Sequence, residues 1–81
     1  PGGLMAELTI DATRLLCPMP VIRAQEAIAT LGPGDELSVI CTDPGALHDI
    51  PAWCRVHGHE FLEAVERADE WVIRVRVNAA R

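Results

Sequence analysis

The sequence predicts an α+β fold: a two-layer α/β sandwich in the order β-α-β-α-β-β, with two helices on one face of a four-stranded mixed sheet. Three observations predict it. Glycine and proline cut the 81 residues into short segments. Four segments alternate apolar and polar residues, and two repeat apolar residues at helical spacing. The alternation is one-sided, so helices cover one sheet face and the other stays open. At this length there is room for one core.

The elements follow in order. Glu7-Leu-Thr-Ile-Asp11 alternates, with Leu8 and Ile10 on one face, as a short strand does. After a connection at 12–16, Cys17-Pro18-Met19-Pro20 opens a helix with Cys17 at the cap. Pro18 suits the first helical position, and Pro20 still lies in the first turn. Val21, Ala24, Ile28 and Leu31 form its apolar ridge, and Gly32 is expected as a left-handed cap. Residues 36–42 alternate again, with Leu37, Val39 and Cys41 sharing a face. Asp43-Pro44 offers a side-chain cap for a second helix that reaches His57 and ends at Gly58. Pro51 is expected to kink it and force a restart near Asp49 or Ile50. Residues 60–66 and 71–77 are two further strands, joined by a hairpin at Ala68-Asp69-Glu70 that lacks the usual glycine. Residues 1–4 precede Met5 and read as a cloning remnant, 5–78 as one domain and 79–81 as a tail.

Composition excludes several classes of function. Seven Lys+Arg against twelve Asp+Glu give a net charge of −5. Sequence-independent phosphate binding needs the opposite sign, so no direct nucleic-acid contact is expected. Apolar and charged contents of 49% and 23% are globular values, which argues against disorder. No apolar run approaches the roughly 20 residues of a membrane span, and no export signal is visible. A reducing cytoplasm is therefore the expected compartment.

Three cysteines, Cys17, Cys41 and Cys54, cannot close a disulfide framework, and their spacing matches no structural zinc site. Cys17 is the candidate nucleophile. A helix N-terminus presents free N–H groups and the positive end of the macrodipole, which favour thiolate. The prolines remove two donors, leaving the Met19 N–H for the sulfur. A thiol of pKa ~8.5 is roughly 3% ionised at neutral pH, and lowering it to ~7 takes about 2 kcal/mol. The dipole usually supplies ~0.3–1 kcal/mol, so Arg14 is the candidate for the remainder. Cys41 and Cys54 lie on apolar ridges and read as small buried hydrophobes. His57 is favourably placed at a helix C-terminus, and the Cys54, His57, His59 set matches no metal motif. Arg74 and Arg76, with Arg67 nearby, form a small basic patch on a solvated face.

These residues resemble the TusA (SirA-like) sulfur-carrier, or sulfurtransferase, family from about residue 7 to 77. The resemblance is carried by Asp11, by Leu15-Leu16-Cys17-Pro18-Met19-Pro20-Val21, by Pro33-Gly34-Asp35, by Thr42-Asp43-Pro44, by Asp49-Ile50-Pro51-Ala52-Trp53-Cys54 and by Gly58-His59. It implies a persulfide on Cys17 in the Cys-Pro-x-Pro motif, supported by Pro18, Met19 and Pro20. It implies a cysteine desulfurase or rhodanese-like protein as sulfur donor and a downstream sulfur-accepting protein. The relay in such families serves tRNA thiolation, cofactor assembly or sulfur oxidation, and requires no metal or organic cofactor. Arg14 departs from the pattern, which usually has Gly three residues before the cysteine. A positive φ there makes Arg a strained choice. Leu15, Leu16 and Met19 are candidates for a docking rim. The competing expectation is a binding or regulatory module in which Cys17 only caps a helix.

Overall fold

The computed structural model describes residues 6–16 and 18–77. Residues 1–4 and 79–81, expected from the sequence to be a remnant and a tail, and Cys17 lie outside the described residues.

The element order is β1 (Glu7–Ala12), α1 (Met19–Ile28), β2 (Glu36–Cys41), α2 (Ala46–His57), β3 (Glu60–Arg67) and β4 (Glu70–Arg76). The strands form one sheet in the order β1-β2-β4-β3. β1 runs parallel to β2, and β4 is antiparallel to both its neighbours. The sheet is therefore mixed, as the sequence predicts, and both helices pack on one face.

The alternation of the strands builds the core. Leu37, Val39 and Cys41 of β2 and Ile73 and Val75 of β4 are fully buried under Ala24, Ile28, Ala46, Ile50 and Cys54 of the helices. Each large aliphatic side chain buried this way contributes roughly 1.5–3 kcal/mol. Leu8 and Ile10 pack against this cluster from the edge.

Four local expectations are corrected. α1 ends at Ile28 with Ala29 in the right-handed region, and the left-handed glycine is Gly34 (φ 88°), not Gly32. The chain beyond α1 continues in 3₁₀-type bonds from Thr30 and Leu31 to Ala27 and Ile28, so no left-handed cap is needed there. α2 is continuous through Pro51, with Asp49 in its first turn rather than at a restart. Ile50 and Cys54 are buried on both sides of the proline, and this packing holds the helix together across the missing N–H. Asp43 is not the cap expected from the sequence: Gly45 is the N-cap, and the Asp43 Oδ1 accepts the Gly45 N–H at 3.1 Å in a turn that precedes the helix. α2 ends at Gly58 (φ 81°), and the His59 N–H reaches back to the Cys54 carbonyl at 2.8 Å, a Schellman ending.

The Arg74 and Arg76 patch is the fourth correction, because glutamates neutralise it. Arg74 pairs with Glu36 (2.5 Å) and Glu63 (2.7 Å), and Arg76 with Glu36 (3.3 Å) and Glu60 (3.0 Å). The cross-strand register sets these partners side by side on the open face.

Asp35 fastens the other end of the sheet. Its carboxylate accepts the Ala6 N–H at 3.0 Å and the Gly32 N–H at 2.7 Å, and these bonds hold its pKa below the usual carboxylate value. Pro33-Gly34-Asp35 is thus a fastening far from α1's start.

Candidate functional site

The candidate site lies at the C-terminal ends of β1 and β2, where the chain leaves β1 and enters α1. β1 finishes on the fully buried Ala12. Asp11 then organises the exit: its Oδ1 accepts both the Thr13 N–H (2.9 Å) and the Thr13 hydroxyl (2.6 Å). These bonds, with the nearby Arg14 charge as a smaller cause, lower the Asp11 pKa. The carboxylate therefore stays ionised at neutral pH.

The turn closes with a Leu15 N–H to Ala12 carbonyl contact at 3.4 Å. Arg14 is its third residue and has φ 65°, in the left-handed region that L-residues other than Asn and Asp seldom enter. The strain expected from replacing glycine here is present. The Arg14 N–H donates to Thr42 Oγ1 at 2.9 Å, so the loop is pinned to the end of β2. Sequence reasoning missed this role of Thr42. A hydroxyl residue directly after a buried strand is the available signal, but its acceptor function depends on strand pairing.

Beyond the turn, Leu15 packs against the core while Leu16 is 74% exposed. Of the three side chains expected at a docking rim, Leu16 alone is exposed; Met19 is half-buried, as is Leu15, and Pro20 is fully buried. Cys17 lies between Leu16 and Pro18 in sequence. The helix cap is Pro18, whose carbonyl accepts the Ile22 N–H at 3.1 Å. The Met19 N–H, expected to be left for the sulfur, instead donates to the Leu16 carbonyl at 2.8 Å. A backbone carbonyl is the better acceptor and sits at turn distance, so it wins the donor.

The other thiols are sealed away. Cys41 is fully buried, with its Sγ 3.7 Å from the Trp71 carbonyl; burial, and then the Asp43 charge, raise its pKa. Burial pushes Cys54 up to about 11. Burial and the raised pKa disfavour both as nucleophiles. His57 and His59 lie against Trp53, with ring centroids at 4.6 and 5.2 Å.

A small mixed sheet covered by two helices on one face, with Cys17 following the strand-to-helix turn in the sequence, is a cysteine-containing α+β domain. Comparison with known proteins makes this specific. Residues 8–77 match the profile of the sulfurtransferase TusA family. A Neisseria meningitidis protein is 48% identical over 59 residues, covering 73% of this chain and 80% of its own. The sulfur carrier protein TusA of Pseudomonas fluorescens is 38% identical over 79 residues, covering 98% of this chain and 95% of its own. The crystal structure of a SirA-like protein from Desulfitobacterium hafniense superposes with a TM-score of 0.79 at 27% identity, over 88% of this chain and 97% of that one. The chain belongs to the TusA family. No helix among the described residues is long and apolar enough to cross a membrane.

Proposed function

We propose that Cys17 accepts sulfane sulfur as a persulfide and relays it to an acceptor protein. The observation that carries this reading is the sealing of Cys41 and Cys54 in the core, which leaves Cys17 as the candidate thiol. Family membership and the pinned, exposed turn beside Cys17 support it. In the first step the Cys17 thiolate attacks the outer sulfur of a donor persulfide, and the donor cysteine leaves as thiolate. In the second, an acceptor thiolate attacks the outer sulfur on Cys17, and Cys17 leaves as thiolate. Each step breaks one S–S bond and forms another, so no oxidant or cofactor is consumed.

Pro18 and Pro20 stiffen the start of α1, and Met19 lines it without a like charge beside the thiolate. Since the Met19 N–H is engaged, the macrodipole and Arg14 are the remaining groups that favour thiolate. Leu16 supplies apolar contact for a donor such as a cysteine desulfurase or a rhodanese-like protein. The cytoplasm is the compartment in which such a thiol stays reduced.

Intact-protein mass spectrometry tests this after incubation with a cysteine desulfurase and cysteine, or a rhodanese and thiosulfate. A reducible gain of one sulfur atom is expected in wild type and in a Cys41→Ser/Cys54→Ser variant, and none in Cys17→Ser. A gain that persists in Cys17→Ser overturns the assignment.

A further inference from the structure

The two edges of the sheet are treated differently. β3 carries Glu60, Glu63, Glu66 and Arg67 and is bulged between Phe61 and Glu63, which blunts it against strand pairing. β1 pairs with β2 in unbroken register, and no other described strand lies on its outer side. The Glu36 N–H donates to the Ala6 carbonyl at 3.0 Å. That bond fixes the alternation along β1: Ala6, Leu8 and Ile10 turn their amides toward β2, while Glu7, Thr9 and Asp11 turn theirs outward. Along this edge runs a groove of about 530 Å³ between β1 and α1, lined by Leu8, Ile10, Leu15 and Ala27, with Arg23 and Glu26 on its far wall.

Charge selects the occupant. Glu7, Thr9 and Asp11 are exposed on the strand. A second copy paired antiparallel about Thr9 sets Glu7 against Asp11 twice, which like charge disfavours. The geometry points to a docking edge for an extended partner segment in which cationic residues four apart flank two apolar ones. Its cations meet Glu7 and Asp11 on the open face. Its apolar side chains enter the groove over Leu8 and Ile10. The ladder comes from the outward amides of Glu7, Thr9 and Asp11. The low Asp11 pKa keeps that end of the edge anionic.

The test is titration of ¹⁵N-labelled protein with the acetylated, amidated peptide Thr-Lys-Val-Thr-Val-Lys-Thr, against a control with Glu in place of both Lys. Amide shifts are expected at Glu7, Thr9 and Asp11, with at least tenfold weaker binding of the control. Thr9→Pro removes an outward amide without touching the β1–β2 ladder, so it should abolish binding while the far-UV spectrum is kept. Glu7→Lys should narrow or reverse the preference between the peptides, and it keeps the test valid if the proline variant fails to fold. Shifts located elsewhere, equal affinity for both peptides, or concentration-dependent edge shifts without peptide (a second copy on β1) each overturn the proposal.

Discussion

Replacing Arg14 by glycine should stabilise the protein, although it deletes a whole side chain. Arg14 holds φ 65°, and an L-residue there pays roughly 1–2 kcal/mol against the right-handed region. Glycine escapes that cost but brings a more flexible unfolded chain, worth about 0.5–1 kcal/mol. The difference leaves a net gain of about 1 kcal/mol. The bond to Thr42 Oγ1 is donated by the backbone amide of residue 14 and survives the change. In a domain of this size such a gain raises Tm by about 4–8 °C. Urea and thermal melts followed by circular dichroism measure it, with Arg14→Ala as control, since alanine removes the charge and keeps the strained backbone. R14G melting below wild type at an unchanged urea m-value refutes the reasoning. So does an alanine variant that gains as much as the glycine one, because the effect would then come from the side chain.

Three further outcomes are expected. Ala68, at φ 54° in the β3–β4 hairpin, is the same case with no charge involved, and Ala68→Gly should gain about 1 kcal/mol in the same melts. Asp11 and Asp35 have folded pKa values below the ordinary 3.8, so their stabilisation is fully present above that value and is lost as pH falls through and below it. Urea midpoints between pH 7 and 3 should fall accordingly, and Asp35→Asn should be less stable at pH 7 and show a smaller fall on acidification. At pH 8 a thiol of pKa about 11 is ionised in only about one molecule in a thousand, so iodoacetamide should leave Cys54 unmodified in the native protein and label it in urea, as peptide mass mapping would show.

The element order was legible because Gly32, Pro33, Gly34 and Gly58 punctuate the chain and because Leu37, Val39, Ile73 and Val75 alternate cleanly. The sequence predicts a second helix that reaches His57, with a break at Pro51 that the structure does not have. Local propensity carries that signal, and the packing of Ile50 and Cys54 overrides it. The pairing of the arginine patch is hidden for a different reason. Arg74 and Glu36 lie 38 residues apart, and only the β2–β4 register makes them neighbours. In the candidate site, the strain at Arg14 could be foreseen from its departure from the pattern that the resemblance implies at that position. The fate of the Met19 N–H could not, since a carbonyl three residues back competes for it only once the turn has formed.

Asp35 and its neighbours gather both ends of the described chain. The Ala6 carbonyl receives the Glu36 N–H, and Val77 exchanges bonds with Gly34 and Asp35. Ala6 and Val77 therefore leave the fold on either side of the start of β2, at the end of the sheet opposite the Arg14 turn. A tether or a fused domain attached at either terminus hangs from the back of the molecule and leaves the turn facing outward. The same closeness makes a short Gly-Ser bridge between the ends a natural route to a circular permutant, with new termini opened at the exposed Ala68-Asp69 turn.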